Sequence, residues 1–155
     1  LLSTPFVPPT VQIELDGFTA EPQVLARTID QHPDGIVARR DHAVSVCPPW
    51  AGFPFETWIV PAAPTRSMTE ADADELADVG ALLVDLLGRL RRVLGDVDYN
   101  ITFRVPPPRA DGPFAWHLQV LPRHVPLAGF ELSAGVAVNA TPAEVAADRL
   151  RTVAS

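Results

Sequence analysis

Residues 69–94 constrain the fold most. Leu76, Val79, Leu83, Leu86, Leu87, Leu90 and Leu94 recur at steps of three and four, which draws one apolar stripe down a helix of about seven turns. A stripe that long needs an extended apolar surface to lie on. Thr69 is the expected N-cap, and Glu70, Asp72, Asp74 and Glu75 complement the positive end of the dipole and add solubility. Arg89, Arg91 and Arg92 suit the other end, and Gly95 stops the helix.

The surface is supplied by two alternating segments, DYNITFRV at 98–105 and FAWHLQVL at 114–121. Successive strand side chains point to opposite faces. Tyr99, Ile101, Phe103, Val105, Phe114, Trp116, Leu118 and Val120 are therefore expected to face the helix. Asn100, Thr102, Arg104, Ala115, His117 and Gln119 share the other face, expected to be solvent-exposed or covered by a partner or ligand. The segments read as a hairpin around the Pro-rich loop 106–113. Further strands are expected at 11–15, within 35–49 (two, around an Arg-Arg-Asp-His turn), at 55–61 and within 129–138. Short helices are expected at 21–31 and at 141–153, the latter with Thr141 as cap and Glu144 completing a capping box. The sum is an α+β domain, an antiparallel sheet with a long helix packed on one face.

Composition removes several functions. The net charge is -7 and all 12 basic residues are Arg, so no basic field gathers nucleic acid, and lysine Schiff-base or phosphate-loop chemistry is excluded. The single cysteine, Cys47, allows neither an internal disulfide nor a cysteine zinc site, and it is expected to pack as a small apolar residue. No apolar run reaches membrane-spanning length, so a cytoplasmic protein without membrane contact is expected. The chain begins Leu-Leu rather than Met, which leaves open a processed product or part of a longer polypeptide.

Six stretches stand in a telling order: WAGFPFETWIVP (50–61), the acid-capped helix, DYNITF (98–103), FAWHLQVLP (114–122), AGFEL (128–132) and TPAEVAADRLR (141–151). Together they resemble the C-terminal half of galactose-1-phosphate uridylyltransferases, members of the histidine-triad (HIT) superfamily, over residues 36–153. Residues 1–35 match nothing and read as an extension or arm, with the HIT-like domain at 36–155. The resemblance implies a sheet whose open face binds a nucleotide sugar or sugar phosphate, and uridylyl transfer through a histidine–nucleotide intermediate. It also implies that the nucleophile sits in a His-Pro-His segment of the N-terminal half. This chain has only His32-Pro33-Asp34-Gly35. The family strand matching 114–122 carries alternating histidines, some of which bind a structural metal with another histidine after the Tyr-Asn segment. Here those positions read Ala115, His117 and Gln119, and Arg104 replaces the other histidine. Arginine donates but does not ligate, so no metal and no cofactor are expected.

The candidate residues are His117 as nucleophile, with Asn100, Arg104, Gln119 and Glu131 as contacts to phosphate, ribose or sugar. An attacking imidazole needs its other ring nitrogen held by a carbonyl or carboxylate, and neighbouring donors can steady the phosphate. Each has a plainer reading. His117 suits a polar residue on an open face, Arg104 a structural donor, Asn100 a strand-end tie and Glu131 a solvated charge. His42 and His124 are expected to face water, while Trp50, Phe53, Phe55 and Phe130 suit packing. Three functions remain: a nucleotidyltransferase-type protein acting on a nucleotide sugar or sugar 1-phosphate, a non-catalytic binding or dimerisation module that has lost the histidine set, and a HIT-like nucleotide hydrolase. A homodimer, or pairing with a second HIT-like half, is expected.

Overall fold

The structure is a computed structural model describing residues 6–123 and 129–153, with the Phe130 side chain outside the description. Five strands form one antiparallel sheet: β1 (Ile36–Arg39), β2 (Ala43–Val46), β3 (Thr57–Pro61), β4 (Tyr99–Arg104) and β5 (His117–Pro122), in spatial order β1-β2-β3-β5-β4. The expected α+β architecture is present. The long helix, α3 (Ala73–Leu94), lays Val79, Leu82, Leu86 and Leu90 on one sheet face. Ile59, Trp116, Leu118 and Val120 meet them there, and α5 (Ala143–Thr152) completes that core with Ala146, Ala147 and Leu150. Arg89 joins the two helices: its Nε donates to Asp85 and its Nη1 to the Leu150 carbonyl, at 2.7 and 2.9 Å.

Asp72, not Thr69, caps α3; its Oδ1 accepts from the Glu75 amide at 2.8 Å, and a separate 3-10 turn at Met68–Glu70 is capped by Ser67. Glu75 is no solvated dipole acid either. It is buried and accepts a 2.9 Å hydrogen bond from Trp116 Nε1. The expected capping box on α5 does not form: Pro142 precedes the helix with no side-chain cap, and the Thr141 amide donates to Asn139 Oδ1.

The largest correction concerns the start of the chain. Residues 11–15 lie in a helix, α1 (Pro9–Ala20), followed by α2 (Val24–Gln31). The five residues VQIEL satisfy a period of two, but Ile13 is 71% exposed while Val11, Leu15 and Phe18 turn inward at i, i+4 and i+7. Pro9 sits in the first turn, where its missing N–H costs nothing. These helices cover the sheet face opposite α3. Leu15, Phe18, Leu25 and Ile29 pack there against Val44, Val46, Trp58 and Val60. That face is therefore neither open nor left for a partner; the chain closes it with its own N-terminal segment.

Phe114 belongs to this second core, its ring 4.8 Å from that of Phe18. Strand alternation begins only at His117, because the Trp116 amide turns aside to the Thr65 carbonyl. Tyr99, Phe103 and Val105 stay exposed, since β4 is the sheet edge. The strand expected within 129–138 is instead a short helix, α4 (Gly129–Ala134), closed by Gly135 at φ +65°, whose amide returns to the Glu131 carbonyl. Cys47 and Phe55 are buried, Trp50 is 47% exposed and His42 is exposed; His124 lies outside the described residues.

Candidate functional site

The β4–β5 register sets Arg104 directly opposite His117 and Thr102 opposite Gln119, so these four side chains share the face beneath α1. Asn100 lies four residues from Arg104, about 13 Å along the strand, and is exposed. Glu131 is on α4, half-buried. The sheet thus brings together His117, Arg104 and Gln119 and leaves Asn100 apart from them, while Glu131 stands on a separate element.

His117 has no solvent exposure. Its ring stacks on Trp58, centroids 4.6 Å apart and planes 20° from parallel. Trp58 is itself held by Glu56: the indole Nε1 donates to Oε1 at 2.8 Å, while Oε2 accepts the Gly52 and Phe53 amides. The Nδ1–H of His117 donates to the Ala115 carbonyl at 2.9 Å, which assigns the tautomer and leaves Nε2 with a lone pair. Nε2 has no hydrogen-bond partner. The nearest acidic group is Glu14 of α1, its Oε1 3.5 Å away. Burial pushes the imidazole pKa down to about 4; the Ala115 carbonyl opposes this and the Arg104 charge reinforces it, so the ring is neutral near pH 7.

Arg104 points its guanidinium at Glu14. Nε lies 3.0 Å from Oε2 and 3.3 Å from Oε1, and Nη2 also donates to Oε2. Gln119 Oε1 accepts from the Thr102 hydroxyl at 3.1 Å. Glu14 is the residue that sequence reasoning missed. Val11, Glu14, Leu15 and Phe18 fall at i, i+3, i+4 and i+7, so a single carboxylate stands on the inward stripe of α1. An acid in that position demands a buried counter-charge, and this was the signal available.

The donor set does not suit a metal. It offers one imidazole nitrogen and one carboxylate, and the next residue is a cation. Among the described residues no group of three or more His, Cys, Asp or Glu converges as a metal site. Beside the cluster a hollow of about 140 Å³ is lined by Glu14, Phe18, Val24, Leu25, Trp50 and Trp58. Clefts of about 290 and 390 Å³ lie elsewhere, lined by neither His117 nor Arg104.

No protein-family model matches the chain. It is 29% identical to ADP-glucose phosphorylase of Arabidopsis thaliana, over 99% of this chain and 46% of that protein. The crystal structure of an ADP-glucose phosphorylase from Arabidopsis thaliana with bound ADP-glucose superposes with a TM-score of 0.86 at 28% identity, covering 98% of this chain and 52% of the other. A uridylyltransferase structure follows at 0.82 and 25%, covering 95% and 51%. The chain is thus similar to an ADP-glucose phosphorylase and to a uridylyltransferase, over about half of each. A zinc-bound histidine triad family protein from Mycobacterium smegmatis superposes with a TM-score of 0.60 at 18% identity, covering 86% of this chain and 92% of the other, which shows the shared fold. The chain spans about half the length of the relatives it matches. Among its described residues no helix is long and apolar enough to cross a membrane.

Proposed function

We propose that this chain is one half of a nucleotidyltransferase-type enzyme acting on a nucleotide sugar or sugar 1-phosphate, and that it completes its site by pairing with a second HIT-like half. The observation that supports this reading most is the near full-length superposition on about half of a phosphorylase that holds ADP-glucose. The edge of the sheet supports the pairing. Among the described residues strand β4 has one free side, flanked by exposed Tyr99, Phe103 and Val105, and an unpaired apolar edge is a template for a further strand. In this reading Asn100 and Glu131 are the residues of this half that contact the ligand. Arg104 and Gln119 engage Glu14 and Thr102 within the fold, and their contact with phosphate would need those bonds exchanged. We extend the proposal to a dimeric, cytoplasmic protein.

A second reading has His117 as a nucleophile in its own right. The Nδ1–H bond to a carbonyl and the free Nε2 lone pair favour it, because this is the tautomer that attacks phosphorus. It requires the Glu14 side chain to swing away from Nε2 and Arg104. Incubation with radiolabelled UDP-glucose, ADP-glucose or ATP separates the readings. Nucleotide binding by calorimetry without label on protein is the result expected of a half-site. Acid-labile, base-stable label that disappears in His117→Ala would favour the second reading. Absence of binding to any of the three, by the chain alone and paired with its other half, would leave a non-catalytic module.

A further inference from the structure

The family resemblance implies a structural metal held by histidines of the two strands that carry Arg104, His117 and Gln119 in this chain. The residues present do not fit a bound metal ion, and the misfit has a structural solution within the chain. We infer that the guanidinium of Arg104 is the resident cation of this centre, fastening α1 to the β4–β5 hairpin without any metal. This goes beyond the proposed function and holds whether or not the chain binds a nucleotide.

Three observations carry it. Glu14 Oε1 and His117 Nε2, both acceptors, face each other across 3.5 Å, and the imidazole is wholly buried. Two acceptor lone pairs enclosed together are costly unless positive charge stands beside them. Arg104 provides that charge through Nε and Nη2 on the Glu14 carboxylate, with the side chains of Arg104 and Glu14 only 21% and 15% exposed. Finally, the charges close: one carboxylate, one guanidinium and a neutral ring sum to zero. A divalent ion added here would give the centre two cations for one carboxylate. It would also compete with Arg104 for the same oxygens, so metal and guanidinium exclude one another.

The test compares metal response with stability in the 155-residue chain. Unsubstituted protein should keep its melting temperature in EDTA and in excess Zn²⁺, and show no visible Co²⁺ spectrum. Arg104→Met should lower the melting temperature by about 5–10 °C and speed amide exchange in α1, because breaking a buried pair strands the other charge. Arg104→Lys should recover part of both losses, which distinguishes lost charge from lost shape. Arg104→His combined with Gln119→His replaces the cation by acceptors, and should bind Co²⁺ with the absorption of a tetrahedral site and gain melting temperature with Zn²⁺. Three results would overturn the inference. One is an EDTA-sensitive melting temperature, or a His117-dependent Co²⁺ spectrum, in unsubstituted protein. Another is an Arg104→Met variant with unchanged stability and α1 exchange. The third is a folded double variant that ignores Co²⁺.

Discussion

If α1 and α2 belong to the folding unit, Phe18→Ala should weaken the whole molecule. Phe18 is 2% exposed and its ring meets Phe114 at a 51° angle, with Leu15 and Ala115 in the same core. Truncating a buried phenylalanine costs about 3–5 kcal/mol from lost transfer energy and the cavity left behind. At about 2–4 °C per kcal/mol for a chain of this size, the melting temperature should fall by about 6–20 °C. The alternative is that residues 1–35 are an arm that detaches locally. Detachment would bare Val44, Val46, Trp58, Val60 and Phe114. At about 1.5–3 kcal/mol each, that is about 8–15 kcal/mol, comparable to the entire stability of a domain. Local release should therefore be as costly as global unfolding. Urea unfolding followed by circular dichroism and by tryptophan fluorescence should give one coincident transition, with a lower midpoint and an unchanged slope. Two separated transitions, or an unmoved midpoint with freely exchanging α1 amides, would refute the reasoning.

Other outcomes follow from individual contacts. The unfolded His117 ring takes its proton near pH 6.5 and the folded ring only near 4, so the unfolded state holds more protons between those values. This contribution of up to about 3 kcal/mol is complete above pH 6.5 and lost as pH falls towards 4. Urea titrations from pH 4 to 7 should show a slope that His117→Asn flattens; identical slopes would contradict the buried neutral ring. Cys47 is 1% exposed and burial raises its thiol pKa to about 11, so a thiol reagent should label it only at the rate of global opening. Sedimentation should show self-association, or capture of a second HIT-like half, that Phe103→Glu abolishes without a change in melting temperature; association indifferent to that substitution would remove β4 as the pairing edge.

Periodicity made α3 and β5 legible because each buries one continuous face, while β4, at the sheet edge, shows its alternation with Tyr99 and Phe103 exposed. The same reasoning placed Arg104, His117 and Gln119 on a common face, which the register bears out. It failed where a window was too short to fix its period. Residues 11–15 alternate, and only the outward Ile13 and the inward Phe18 reveal the helix. In 129–138, Leu132, Val136 and Val138 look strand-like, yet all three are exposed and belong to no strand. The chemistry of the His117 face was hidden for a different reason. Glu14 lies 90 residues from Arg104, and no local pattern announces a partner at that distance.

That long-range contact also bears on how the hairpin finds its register. Residues 105–116 separate β4 from β5, too long a connection for turn geometry to set the pairing. A slip of one residue would turn every side chain to the wrong face. Two acids, one from each covering layer, discriminate against it. From α3, Glu75 accepts the Trp116 indole at the entry to β5. From α1, on the other side of the sheet, Glu14 takes Arg104, the residue opposite His117. Were β4 displaced by one position, Phe103 or Val105 would face Glu14 and its carboxylate would be enclosed without a counter-charge, a penalty of about 3–5 kcal/mol against the misaligned form. An acid on the apolar stripe of α1 weakens that helix's own burial, and its use lies in making the correct alignment of β4 and β5 the only one that satisfies it.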